Sequence, residues 1–383
     1  MRRKARVRPL KPSRGIMRTS DITHDTALLR RLNTRATLHA LRQGGAQTLT
    51  QLARAAGLSR QTAEVALADL VERGLAEEAA PTEGGAGRPA RRFRFRADAG
   101  HVVGVDVGPR RILAMLADLN GDVLAEQRLD IDERLPAAER LALAERAATA
   151  CADAAAVARG GVWAATAGTS GVVDRSGMVT VSHLIPGWTG LDLGGQVGRW
   201  FGCQGFAAND ANLAAVAEHW RGSARHVDDV VYVLSGYRAG HGLLLDGRLR
   251  TGRTGSAGEL GRLPLTGWED PSVVLGREGR GAEEIFEAAR AGEERALGVL
   301  DRIAHGLARG ASALVLVVDP ELVVVGGGFS RAGELLLEPM RAHLAAMCLN
   351  PPEVALSTFG EESIALGAVR LALDHVDRER LDL

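Results

Sequence analysis

The spacing of the apolar residues changes near Gly100, and that change divides the chain into two parts that cannot share one architecture. Before it, between Thr26 and Gly74, apolar positions recur every three or four residues, the spacing of helices. After it, runs such as "HVVGVDVG" and "GVWAATAG" alternate with alanine-rich stretches, the pattern of buried strands and the helices that cover them. A chain of 383 residues, 46% of them apolar, is long enough for more than one core.

In the first part, "ALLRRLNTRATLHALRQGG" places Leu28, Leu29, Leu32, Ala36, Leu38 and Leu41 roughly on one helical face, ended by Gly44 and Gly45. Thr48 and Gln51 have the spacing of a capping box, which predicts a short helix stopping at Gly57. Ser59 then caps a second helix, whose positions Ala63, Val65, Ala66, Leu67, Leu70 and Val71 are expected to pack inward before Gly74. Helix, tight turn and helix make a helix-turn-helix unit. Its second helix presents Arg60, Gln61 and Thr62 at the N-terminal end, the end that meets base edges in a major groove. Arginine grips guanine and glutamine grips adenine with paired hydrogen bonds. "AEEAAPTEGGAGRPARRFRFRA" reads as strand, flexible tip and strand, a wing bearing Arg88, Arg91, Arg92 and Arg94 where phosphates would be met.

The formal net charge of zero hides a basic arm. "MRRKARVRPLKPSRG" carries Arg2, Arg3, Lys4, Arg6, Arg8, Lys11 and Arg14 without an acid, which suits counterion release from nucleic acid and equally a solvated tail. A winged unit of this kind also serves protein interaction; arm, helix and wing together favour double-stranded DNA. No membrane partner is expected, because the longest apolar run, from Ala311, is interrupted by Asp319 and Pro320. No signal peptide is expected, and Cys151, Cys203 and Cys348, odd in number and far apart, fit a reducing cytoplasm.

After Gly100, strands are expected at "RILAMLADL", "QGFAAND" and "DDVVYVLSG", helices after Pro136 and through "ANLAAVAEHW", and hairpin turns at Asn120-Gly121 and Asp246-Gly247. Two α/β lobes around a cleft follow. The chain resembles the ROK family of repressors and sugar kinases, in its DNA-binding branch. The resemblance runs from about Leu28 to Ala372 on "GLSRQTAEVALADLVERGL", the "GRP" of the wing, "GTSGVVD", "IPGW", "NDAN", "GSAGELGR", "DPELVVVGGG" and "ALGAVRLAL" in that order.

The resemblance implies an α/β fold, a winged helix-turn-helix followed by a two-lobed actin- or hexokinase-like domain. The expected divisions are a basic arm at 1–22, the DNA-binding unit at 23–97, a small lobe at 98–208 with 362–383, and a large lobe at 209–361. Asp210 stands where the family's kinases have the base that takes a sugar hydroxyl's proton, and it also suits a helix cap. Asn209, Glu259, Glu284 and Gly187 fall at sugar-contacting positions, so a sugar or sugar derivative is the expected effector and a homodimer or higher oligomer the expected assembly.

Three departures from the family's kinases follow. Where they have D-x-G-G-T, this chain has Asp106, Gly108, Pro109 and Arg110, and the second phosphate turn, G-T-G-x-G, is Gly236-Tyr237-Arg238-Ala239-Gly240. Proline lacks an N–H, and the large side chains replace groups that close on phosphate, so competent phosphoryl transfer and an ATP cofactor are not expected, although Asp210 and "GGG" at 326–328 speak for residual kinase activity. One expectation puts Arg110 and Arg238 in the vacant phosphate space beside Asp106, where they bind an anion such as a sugar phosphate; the other turns them to solvent. The family's zinc-binding histidine is Arg262 here and no cysteine follows it, so no metal is expected, and Trp268 with Val273 to Leu275 would pack there instead. Leu184 replaces an asparagine two residues before the proline of "PGW", which puts one sugar contact in doubt.

Overall fold

The computed structural model describes residues 19–80, 90–236, 238–262 and 270–381. The basic arm, the wing tip with Arg88, Tyr237 and Trp268 lie outside the described residues. Two compact units divide the chain near Arg96, and Ala97–Arg380 forms the second.

The first unit begins with α1 (Thr19–Gly44), β1 (Gln47–Thr48), α2 (Leu49–Ala55) and α3 (Arg60–Glu72), then β2 (Ala76–Glu78) and β3 (Arg92–Phe95). Both helix starts follow from their caps. Thr48 accepts the Gln51 N–H at 3.3 Å while Gln51 reaches back to the Thr48 N–H at 2.9 Å, and Ser59 accepts the Thr62 N–H at 3.1 Å. Gly57 and Gly74, both with positive φ, turn the chain out of α2 and α3. The three strands pair antiparallel in the order β1-β3-β2.

Leu38, Leu41, Leu52, Ala63, Ala66, Leu67 and Leu70 form the core. Leu28, Leu29 and Leu32 do not join it. At about 1.5 Å per residue, α1 is about twice as long as α3, so its N-terminal half has too little helix to pack on. Val65 and Val71, expected inside, are exposed, because they flank the buried stripe of α3 rather than lie in it.

The second unit opens with β4 (His101–Val107), β5 (Arg111–Asp118), β6 (Val123–Asp130), α4 (Ala137–Ala154), β7 (Val162–Thr169), β8 (Val172–Val173), β9 (Val179–Val181), α5 (Leu193–Phe201) and β10 (Gln204–Asn209). It continues with α6 (Asp210–Arg221), β11 (Val230–Ser235), β12 (Ala239–Leu245), β13 (Arg248–Leu249), α7 (Pro271–Glu278), α8 (Ala282–Arg290), α9 (Glu294–Val318), β14 (Leu322–Gly326), α10 (Glu334–Met347), β15 (Glu353–Leu356) and α11 (Ser363–Glu379). Two five-stranded sheets result, β10-β7-β4-β5-β6 and β13-β12-β11-β14-β15. In the first, β4, β5 and β6 form an antiparallel meander while β7 and β10 run parallel to β4. The Asp246-Gly247 turn has positive φ at both residues, as a two-residue hairpin between β12 and β13 requires.

Each sheet has its own core. Val103, Val105 and Ile112 pack with Ala144, Ala148 and Trp200, whereas Val231, Val233, Val323 and Val325 pack with α9 and α10. Leu213 of α6 and Ala368 of α11 join Tyr232 and Val324 on the other face of the second sheet. The two helices cross where Gly367 meets Leu213, and a Cβ there would fall 1.8 Å from the Leu213 carbonyl oxygen. No side chain but hydrogen fits that crossing.

Candidate functional site

Parallel register brings the carboxyl ends of three strands into one row, Val107 beside Thr169 and Thr169 beside Asn209. Asp106 precedes that row; Ser170 and Asp210 follow it. Trp188 is fully buried and donates its indole N–H to the Thr169 hydroxyl at 3.0 Å, and Thr169 donates to the Val107 carbonyl at 3.0 Å. The "PGW" loop is thereby tied to the strand ends. Gly187, expected as a ligand contact, is exposed with φ +72°, so the turn itself calls for glycine.

Asn209, not Asp210, is the cap of α6. Its side-chain oxygen accepts the Asn212 N–H at 3.1 Å and its amide donates to the Gly171 carbonyl at 3.0 Å. Both ends of the amide therefore hold protein, and the residue positions the aspartate that follows. Asp210 is the first residue of the helix, and its carboxylate accepts the Ala211 N–H at 2.8 Å. Burial pushes its pKa up to about 7; repulsion from Asp106 and Glu259 adds to that, against the Ala211 hydrogen bond. Glu259 is itself raised by burial, an effect that His183 opposes. Asp210 thus lies in the field of Glu259.

Glu284 does not appear among the charges acting on Asp210. It sits at the start of α8, where its carboxylate accepts the Gly281 N–H at 2.9 Å. The residue expected as a sugar contact thus binds the backbone at the start of its own helix. Val274 packs into the core of the second sheet as expected and Val273 does not. His241 is buried beside Gly258, and burial pulls its pKa down to about 4.

The turn after Asp106 is held from within. Arg140 of α4 is fully buried and donates to the carbonyls of Gly108 at 2.5 Å, Pro109 at 2.9 Å, Asp132 at 3.3 Å and Glu133 at 3.1 Å. Arg111 pairs with Asp106 at 3.2 Å and with Glu361 at 2.7 Å, and Arg128 closes the network on Glu361. The guanidinium beside Asp106 is thus that of Arg111; of the two expectations for Arg110 and Arg238, the one that put them beside Asp106 is not met and both are exposed. Arg110 is exposed and bound to Glu133 at 2.8 Å, on the rim of a cavity of about 560 Å³ that also takes in Gly236, Arg280, Gly281, Gly328 and Arg331. Arg238 is exposed and does not line it. Across this cavity the "GGG" turn is tight, and a Cβ on Gly327 would fall 2.7 Å from the Ser235 carbonyl oxygen.

Sequence reasoning missed Arg140 and Arg111, whose partners are backbone carbonyls and a residue 250 positions away. It also missed Glu218, a buried carboxylate of α6. Glu218 accepts from the Ser357 hydroxyl at 2.6 Å and from the Ser223, Thr358 and Phe359 N–H groups at 2.9, 3.1 and 3.2 Å, joining α6 to the segment that leads into α11.

In the first unit, Arg60 and Gln61 are exposed at the capped end of α3, and the Thr62 hydroxyl shares a hydrogen bond with Ser59 at 2.7 Å. Arg92 does not face outward; it donates to the Ala46 carbonyl at 2.5 Å and fastens β3 to the start of β1. Arg91 pairs with Glu78 and Arg94 with Glu77, each at 2.6 Å.

Two lobes, each built on a mixed five-stranded sheet with helices, define an actin- or hexokinase-like α/β protein, and the ROK family model matches residues 102–280 and 276–375. The chain belongs to the ROK family. It is similar to a glucokinase of Thermotoga maritima, 29% identical over 250 residues, 55% of this chain and 78% of the enzyme. It is also similar to a xylose repressor of Caldicellulosiruptor bescii, 23% identical over 349 residues, 82% of this chain and 87% of the repressor. The latter span is longer than the second unit, so it reaches into the first. Among solved structures, a ROK family transcriptional regulator homologous to E. coli MLC has the same fold, with a TM-score of 0.71 at 21% identity over 90% of this chain and 96% of that one.

Proposed function

We propose that this protein is a DNA-binding transcriptional regulator of the repressor type. The first unit is a winged helix-turn-helix that binds an operator in double-stranded DNA, and the lobes of the second sense a sugar or sugar derivative at Asp210 and Glu259. The observation that carries this reading is the presentation of α3, whose buried side is apolar while Arg60 and Gln61 stand free of the core at its capped end. Similarity to xylose repressors that reaches into the first unit supports it. The protein acts in the cytoplasm as a homodimer or higher oligomer, since two recognition helices match a palindrome and one has too little interface for specific affinity. Ligand held between the lobes shifts the population toward a form whose half-site spacing no longer suits the operator.

The turn at 108–111 argues against phosphoryl transfer. Its carbonyls are held by Arg140, Pro109 has no N–H to offer, and Arg111 neutralises Asp106. A sugar kinase is the second reading, favoured by the half-buried Asp210 at the strand ends and by the glucokinase relatives. Mapping the sites bound across the genome tests the regulator: discrete sites sharing a palindrome support it, and uniform coverage contradicts it.

A further inference from the structure

We propose that Val65 is a specificity-determining residue of the DNA interface, packing on the C5-methyl group of a thymine beside the base that Gln61 reads. This rests on the reading of the first unit as a DNA-binding module. Val65 is 61% exposed, whereas Ala63, Ala66, Leu67 and Leu70 of the same helix are buried, so it contributes nothing to the core. It lies in the second turn of α3, four residues and about one turn after Gln61, on the exposed side that Gln61 begins. Residues four apart on a helix sit about 5–6 Å from each other, within reach of the same or the next base pair. Thymine alone offers a methyl group in the major groove, and glutamine pairs with adenine, so the two side chains together read an A·T step.

The surroundings favour duplex DNA over a protein partner. Gln61 and Val65 border a groove of about 690 Å³ whose other wall includes Arg30, Arg31 and Arg35 of α1. The acid in that groove, Asp69, is paired with Arg73 at 3.5 Å. Of the exposed neighbours of Val65 on α3, Gln61, Glu64 and Asp69 are polar and Ala68 adds a single methyl, so the aliphatic surface is narrow. That is too small to dock a second chain and the right size for a methyl group.

The test uses the full chain and a duplex site recovered by genome-wide mapping, with each thymine of one half-site replaced in turn by deoxyuridine, which removes only the methyl. Affinities are read by fluorescence anisotropy for the wild type and for Val65→Ala. Loss of one buried methyl corresponds to about fourfold in affinity. The expected result is a loss of that size for the wild type at one position next to an adenine contact, and none for Val65→Ala at the same position. Wild-type indifference to every replacement, or an equal loss in Val65→Ala, would overturn the proposal while leaving DNA binding intact. A change in oligomeric state on Val65→Ala without the deoxyuridine signature would overturn it in favour of a protein contact. Failure of the wild type to prefer any duplex would defeat the regulator reading itself, and this proposal with it. Because Val65 is exposed, its alanine variant should melt like the wild type, which keeps folding out of the comparison.

Discussion

Desolvation at the strand ends holds the Asp210 carboxyl far above the ordinary carboxylate range, so that near neutrality it is only partly ionised. An unfolded aspartate gives up its proton near 3.8, whereas here the proton is kept to about 7. Between those values the folded state binds more protons than the unfolded one, so stability present in acid is lost as the pH rises through the window. Asp210→Asn keeps the oxygen that accepts the Ala211 N–H and removes the charge. The variant should match the wild type in melting temperature at pH 4 and exceed it at pH 8, at ~1.4 kcal/mol for each tenfold change in proton affinity. Equal melting curves at pH 8 would mean that the carboxylate is not desolvated. At Arg140 the expectation runs the other way. Arg140→Met strands four carbonyls at the 108–111 turn and at Asp132 and Glu133, and should cost on the order of 3 kcal/mol in denaturant titrations.

At the scale of elements, the starts of α2 and α3 were legible because a cap is a local device, written in two residues three apart. Ser59→Ala should cost about 1 kcal/mol of the first unit's stability, read as a lower melting transition. The strands after Gly100 were legible for a similar reason, since a strand buried on both faces is a continuous apolar run. Val65 and Val71 were misplaced because α3 has apolar residues on more than one side, and composition alone does not say which side meets α1. A glutamate three residues after Gly281 can reach back to that residue's N–H as well as toward a sugar, and its sequence position alone does not say which. The ties made by Arg140, Arg111 and Glu218 span up to 250 positions along the chain, and no periodicity announces them. Asp106, Asp210 and Glu259 could be named in advance, but that they share one field depends on strand register.

Over the whole molecule, the two lobes are those of the ROK family, and on the proposed reading the arginine contacts at the 108–111 turn stand where a grip on phosphate would be. A coupled ATP assay over a panel of monosaccharides should therefore show no sugar-dependent turnover, and turnover that Asp210→Ala abolishes would restore the kinase reading. The same sugars are expected to raise the melting temperature, a ligand at a hundred times its dissociation constant adding about 2.7 kcal/mol. The measurement that bears most directly on the regulator is the affinity of the full chain for its mapped operator, compared with scrambled duplex at the same salt concentration. The wild type should prefer the operator by at least about a thousandfold, and Arg60→Ala should lose most of that preference while binding scrambled duplex almost unchanged. Equal affinity for both duplexes, or a preference untouched by Arg60→Ala, would contradict the assignment of α3 as the reading helix.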